Sequence, residues 1–243
     1  MKKVLLASSV SKVRRRRGQK NSYGLMPGPE GTCPGATLGK GGCLETKRDG
    51  GRPTCYVFKA FRNKRVKEIL EHNTEVMKSS SYDEMVDILD REFARFEAEE
   101  DTNQQPWYHY RLHWSGDLFS ADYAKAVAKA ASRHPRVTFW IYTRSFDFVQ
   151  HLIGVENMHT YLSIDPINMV AGMNTWRSIR KRFPKHGKRL RISYMSETDN
   201  LREQTGADTV PCPADIGRIK IEGACHKCGK CALGNSDIWF KVK

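Results

Sequence analysis

The sequence predicts an α/β fold of about six mostly parallel strands, closing as a partial (β/α) barrel or lying as an open sheet. Three observations predict it. From residue 106 onward, short apolar segments alternate with stretches of helical period, the pattern of βαβ units around a parallel sheet. The 243 residues suffice for one large domain that buries roughly 70% of its unfolded surface. The turns after the apolar segments are all polar, as they are where the ends of parallel strands carry a site.

Residues 1–20 read as a short strand followed by a basic arm. Residues 21–56 are rich in Gly and Pro and form no regular element unless something, such as a metal, holds them. Phe58, Phe61, Val66, Ile69, Leu70 and Val76 share a helical spacing that predicts a helix over 57–78. Ser81 and Glu84 form a capping box that opens a second helix reaching about residue 98. Strands over 107–114, 137–142, 160–164, 190–195 and 208–210 then alternate with helices over 120–134, 146–152 and 169–183 and a helical turn near 197–203. Pro135 and Pro184 stop two of these helices. The tail beyond Cys212 has no clear period and is too short for a core of its own unless a metal organises it.

The five turns in question are Ser115-Gly116-Asp117, Thr143-Arg144-Ser145, Asp165-Pro166, Ser196-Glu197-Thr198 and Cys212-Pro213. In register they make the rim of one site. Arg144 suits an anionic ligand there, or an ion pair with Asp165 or Asp117. His109, Arg111 and His113 share one strand face, which lines a barrel interior or a wet surface. Trp107, Trp114, Trp140 and Trp176 read as packing residues.

The formal charge is +14, concentrated in two blocks. Residues 1–20 and residues 177–191 each hold eight Lys or Arg and no acid. In the first block Arg14, Arg15, Arg16 and Arg17 are candidates for nucleic-acid contact, the alternative being a disordered tail. The second block reads as a solvated helix face and turn. No apolar run approaches the ~20 residues of a membrane span, and the apolar start, Val4–Ala7, is shorter than a signal peptide requires. The expected compartment is the cytoplasm, with no membrane partner.

Seven cysteines without an export signal point to metal or redox chemistry rather than disulfides. Cys33, Cys43 and Cys55 are spaced C-x9-C-x11-C. Cys212, Cys225, Cys228 and Cys231 are spaced C-x12-C-x2-C-x2-C, with Pro213 after the first. The second group matches the run of thiolates and Cys-Pro that holds [4Fe–4S] clusters, and Lys227 and Lys230 would offset its negative charge. Structural Zn is the rival. The first group fits a three-thiolate [4Fe–4S] cluster with one iron left open, or zinc, or unpaired thiols.

The order of these features resembles the radical S-adenosylmethionine enzymes, which use a partial (β/α) barrel. The resemblance implies that barrel here, with Cys33, Cys43 and Cys55 on the cluster that binds S-adenosylmethionine. It implies Ser115, Gly116 and Asp117 around the ligand's amino group, an auxiliary cluster on the four C-terminal cysteines, and a reductant protein as partner. The chain departs from that family's C-x3-C-x2-C signature and has Asp where Glu is usual. A likeness over roughly residues 20–232 is closer. Asn21-Ser22, Thr32-Cys33-Pro34-Gly35-Ala36, Cys55-Tyr56, His113-Trp114-Ser115-Gly116-Asp117 and Phe139-Trp140-Ile141-Tyr142-Thr143-Arg144-Ser145 resemble the bacteriophage gene product 88 family. That family is found in phages and mobile elements and implies a bacterial host cell.

The expected organisation is a basic arm over 1–20, the barrel over 21–211 and a metal-stapled extension over 212–243. The expected function is an iron–sulfur protein with one or two [4Fe–4S] clusters, reductively cleaving S-adenosylmethionine if it is an enzyme. The alternative is a non-catalytic protein, stapled by iron–sulfur or zinc, that binds nucleic acid.

Overall fold

A computed structural model of the chain describes residues 3–36, 43, 55, 57–60 and 62–241. Much of the Gly- and Pro-rich loop expected to need a metal, and Phe61 of the expected first helix, lie outside the described residues.

Helix α1 (Val57–Ala60) is a single turn, and α2 (Lys64–Lys78) starts afresh behind it. The predicted continuous helix is split because Asn63 caps α2, its side chain accepting a hydrogen bond from the Val66 amide (3.3 Å). Helix α3 (Tyr82–Asp101) opens with the predicted capping box, both halves of which are formed. Then follow β1 (His109–Leu112), α4 (Ala121–Ser132), β2 (Thr138–Thr143), a 3₁₀ segment (Phe146–His151), β3 (Met158–Ile164) and α5 (Met169–Arg182). The chain continues through a 3₁₀ turn (Gly187–Arg189), β4 (Arg191–Ser196), α6 (Leu201–Thr205), β5 (Val210–Pro211), α7 (Ala224–Cys228) and β6 (Ile238–Lys241).

The six strands form one parallel sheet in the order β1-β2-β3-β4-β6-β5. Its inner face wraps a cavity that all six strands or their ends line, the arrangement of a partial barrel. Two expectations change. The N-terminal strand is reduced to isolated bridges, Ser8 with Ser22 and Ser22 with Arg111 of β1. The sixth strand comes from the tail instead, where β6 slots between β4 and β5. Ile238 is buried, the Asp237 carboxylate accepts from the Ile192 amide (2.8 Å), and Trp239 Nε1 donates to Ser196 Oγ (3.0 Å). Four residues are too few to show a period, so only the partners reveal the strand.

Side chains alternate across the sheet. Tyr110, Leu112, Phe139 and Ile141 point outward into the apolar layer under α3 and α4. Leu162, Ile164, Ile192 and Tyr194 pack outward with Met173 and Ile179 of α5. The opposite face is left for polar and sulfur-bearing groups.

Candidate functional site

The cavity inside the sheet has a volume of about 540 Å³, and all seven cysteines line it. Cys33 ends a tight turn, its amide donating to the Gly28 carbonyl (3.0 Å). The Cys55 amide donates to the Cys43 carbonyl (3.2 Å). Cys212 follows β5, its amide bound to the Trp239 carbonyl of β6 (2.8 Å), and the Cys225 amide donates to the Lys12 carbonyl (2.9 Å). No two of these cysteines form a disulfide.

The thiols sit close enough to act on one another. Burial, with help from the Asp117 carboxylate and Cys43, pushes Cys33 up to about 12. A hydrogen bond with Cys55 and burial raise Cys43. Burial lifts Cys225 to about 11 and Cys231 to about 12, and Cys212 and Cys228 add to both. Arg111 and Lys12 pull Cys225 the other way. Lys12 pairs with Asp215 (3.0 Å). Burial opposes its charge, but Cys212 and Asp215 outweigh that and raise its pKa. The Arg111 guanidinium lies over the Tyr142 ring, 5.2 Å from its centre. Among the described residues, no three His, Cys, Asp or Glu side chains are disposed to hold a metal ion. The structure thus gathers both cysteine groups around one cavity without drawing either into the shared coordination sphere expected of it.

The residues expected around a cofactor's amino group are engaged within the chain. Ser115 Oγ donates to the Leu25 carbonyl (2.8 Å). Gly116 sits at φ 81°, and a Cβ there would lie 2.5 Å from Thr32 Oγ1, so only glycine fits. Asp117 is fully buried and accepts from the Leu118 amide (2.7 Å), Thr143 Oγ1 (2.6 Å) and the Arg144 amide (2.7 Å). With the Ser145 side chain as a further donor, a carboxylate's roughly four acceptor positions are taken up by the turns after β1 and β2. Burial raises its pKa against the pull of those donors. Arg144 forms a buried ion pair with Asp165 (2.7 Å), the second of the two roles its position allowed.

The four arginines of the arm are not grouped on a free tail. Arg14 pairs with Glu222 (2.8 Å), Arg15 donates to the Gln105 carbonyl (2.7 Å), and Arg16 pairs with buried Glu100 (2.9 Å). Arg17 is exposed. The arm is a strap. It runs beside β1 and reaches the C-terminal cysteines, where the Ser11 carbonyl accepts from the Gly223 amide (2.9 Å).

Sequence reasoning missed two parts of this site, and the partners of a third, His113, that it placed on the β1 face. Lys12 looked like one charge of a tail. Trp140 lines the cavity fully buried, with its indole N–H unpartnered, beside Cys225 and Cys231. His113 sits at φ 55°, in the left-handed region, its Nε2 against Tyr123 Oη (2.7 Å) and Tyr23 Oη (3.2 Å). Burial, then Arg111, lowers its pKa to about 3. The alternation of β2 places Trp140 on the same face as Tyr142, a signal that was present in the sequence.

A sequence profile of the family described as Gene product 88 matches residues 5–234. The chain belongs to the Gene product 88 family. It is similar to the Gene 88 protein of Mycobacterium phage L5, 30% identical over 232 residues that cover 93% of this chain and 88% of the relative. The Gene 88 protein of Mycobacterium phage D29 is also 30% identical, over 233 residues with the same coverage. No solved structure matches the chain. The resemblance to radical S-adenosylmethionine enzymes finds no counterpart in these matches. No helix among the described residues is long and apolar enough to cross a membrane.

Proposed function

We propose that this phage-type protein is an iron–sulfur protein whose two cysteine groups face one internal cavity. In this reading Cys212, Cys225, Cys228 and Cys231 hold one [4Fe–4S] cluster. Cys33, Cys43 and Cys55 hold a second with one iron open to a ligand, S-adenosylmethionine being the candidate from the resemblance. Bound there, such clusters supply one-electron chemistry. The observation that carries the reading is the convergence of all seven cysteines, from opposite ends of the chain, on one lining.

The rest of the lining suits such a group. Lys12 and Arg111 lie beside Cys225 and offset thiolate charge. Trp140 offers a buried N–H with no acceptor among the described residues, which costs about 1–3 kcal/mol unless something accepts it, and sulfur can. A metal binding these thiolates displaces the protons that burial keeps on them into solvent, so loading would weaken as pH falls. Asp117 serves mainly to tie the ends of β1 and β2 together.

The test is iron and acid-labile sulfide analysis of anaerobically purified protein, with Cys231→Ser and Cys43→Ser variants. The expected result is brown protein with about four iron and four sulfide per filled cluster, each variant losing one cluster's worth. Stoichiometric zinc without sulfide would replace this reading with a zinc-stapled one.

A further inference from the structure

The two basic blocks lie far apart in the sequence, yet the fold brings Arg15 of the first and Arg189 and Arg191 of the second to one end of the sheet. His109 opens β1, His159 is the second residue of β3 and Arg191 opens β4, so all three mark the N-terminal end of the strands. Trp107 stacks on His109 (ring centres 4.7 Å apart) and meets His226 edge-on (5.1 Å). That contact brings α7 and its exposed Lys227 to the same end. Arg189 reaches the Glu156 carbonyl just before β3 (2.9 Å), and Arg191 reaches the Gly234 carbonyl (2.9 Å).

We infer that this end of the barrel is a binding surface for nucleic acid, formed jointly by the α5–β4 segment and the strap with α7. The Cys33, Cys43 and Cys55 group, beside Asp117 and Arg144 at the other end of the strands, is not part of it. Three half-buried histidines, whose pKa values burial lowers, connect the basic groups: Arg189 and Arg191 lie beside His159, His159 beside His109, His109 beside His226, and His226 beside Arg15 and Lys227. From there the surface extends along exposed Arg177, Lys181, Lys185 and Lys188. No acid occurs between Asp165 and Glu197. The nearby carboxylates are exposed Glu156 beside Arg189, Glu100, held by the Trp107 amide and Arg16, Asp237, held by the Ile192 amide beside Arg191 and Arg180, and Glu222, held by Arg14. A helix C-terminus favours a few cations. It does not account for a surface that continues across three other elements. The partner this fits is a rod of closely spaced phosphates, which binds by releasing its condensed counterions. This extends the expectation for Arg14, Arg15, Arg16 and Arg17 of the basic arm to a surface shared with the second block, which was expected to be a solvated helix face and turn.

The experiment is fluorescence anisotropy with a labelled 20-base-pair DNA duplex, across a salt series, on the full chain as purified. Binding should weaken steeply with salt, with a log–log slope of about −4 or steeper for five or so phosphate contacts. The triple variant Arg177→Glu, Lys181→Glu, Lys188→Glu should lose at least about tenfold in affinity and flatten the slope. Lys227→Glu should also weaken binding, by a few-fold. Lys64→Glu on α2 is the control and should leave it unchanged. If Lys227→Glu melts early, Arg15→Gln takes its place. No binding, equal loss in the control, or loss from the α5 variant alone would overturn a joint surface. Equal affinity for polyglutamate would overturn the assignment to nucleic acid.

Discussion

The two faces of the sheet differ in what they hold and in how their residues find one another. The outer face under α3 and α4 is apolar and dense. Phe93 lies 4.5 Å from Phe139 and 5.3 Å from Tyr110, ring centre to ring centre, and all three are fully buried. Such a face is stabilised by area and shape, and any volume lost there is felt at once. The inner face carries Arg, Ser, Trp and the mouths of two cysteine groups around a cavity. Its groups contribute little packing and are costly to bury unless each meets a partner. One face therefore makes the fold and the other spends part of that stability on a site.

The sharpest way to break this contrast is Phe93→Ala. It should cost about 3–5 kcal/mol of unfolding free energy, read from denaturant melts, and leave the iron content per folded molecule unchanged. Loss of iron at full stability would show that the faces are not separable.

Acid should act on the inner face next. His113 is ordinarily protonated below about 6.5, but in the fold its pKa is lowered to about 3. Between those values the unfolded chain binds the proton and the folded one does not. The stability is fully present above about pH 6.5 and is lost as pH falls toward 3, a loss on the order of a few kcal/mol. Unfolding free energies from pH 7 to 4 should show that slope, and His113→Gln should flatten it.

Asp117→Asn sharpens the comparison within the inner face. The carboxylate oxygen that takes the Arg144 amide cannot be matched by an Asn that also serves Thr143 and Leu118. The cost should be about 1–3 kcal/mol in a thermal or denaturant melt. An unchanged melt would return Asp117 to the ligand-binding role alone.

The smallest effect belongs to Ser120, which accepts from the Tyr123 amide (3.1 Å) at the start of α4. Ser120→Ala should cost about 1 kcal/mol in the same melts and nothing at the cavity.

The sequence made the outer face legible because periodicity reports burial. The helices α3, α4 and α5 and the strands β1 to β4 all appear within a few residues of their predicted places. It hid β6, whose four residues acquire meaning only from Ser196 and Ile192 across the sheet. It hid the strap too, because Arg16 and Arg14 look alike in a basic run until Glu100 and Glu222 are found opposite them. The cysteines were visible as types and spacing. That Cys33 and Cys231 share a cavity is a matter of topology, which spacing does not carry.

The central claim is that this cavity houses cysteine-ligated iron–sulfur clusters. The most direct measurement is a ⁵⁷Fe Mössbauer spectrum of protein expressed on the isotope and purified without oxygen. The expected result is cubane-type doublets, with part of the signal perturbed when S-adenosylmethionine is added and all of the C-terminal share missing in Cys231→Ser. A spectrum of adventitious iron only, with the seven thiols titrating as accessible or as zinc ligands, would contradict it.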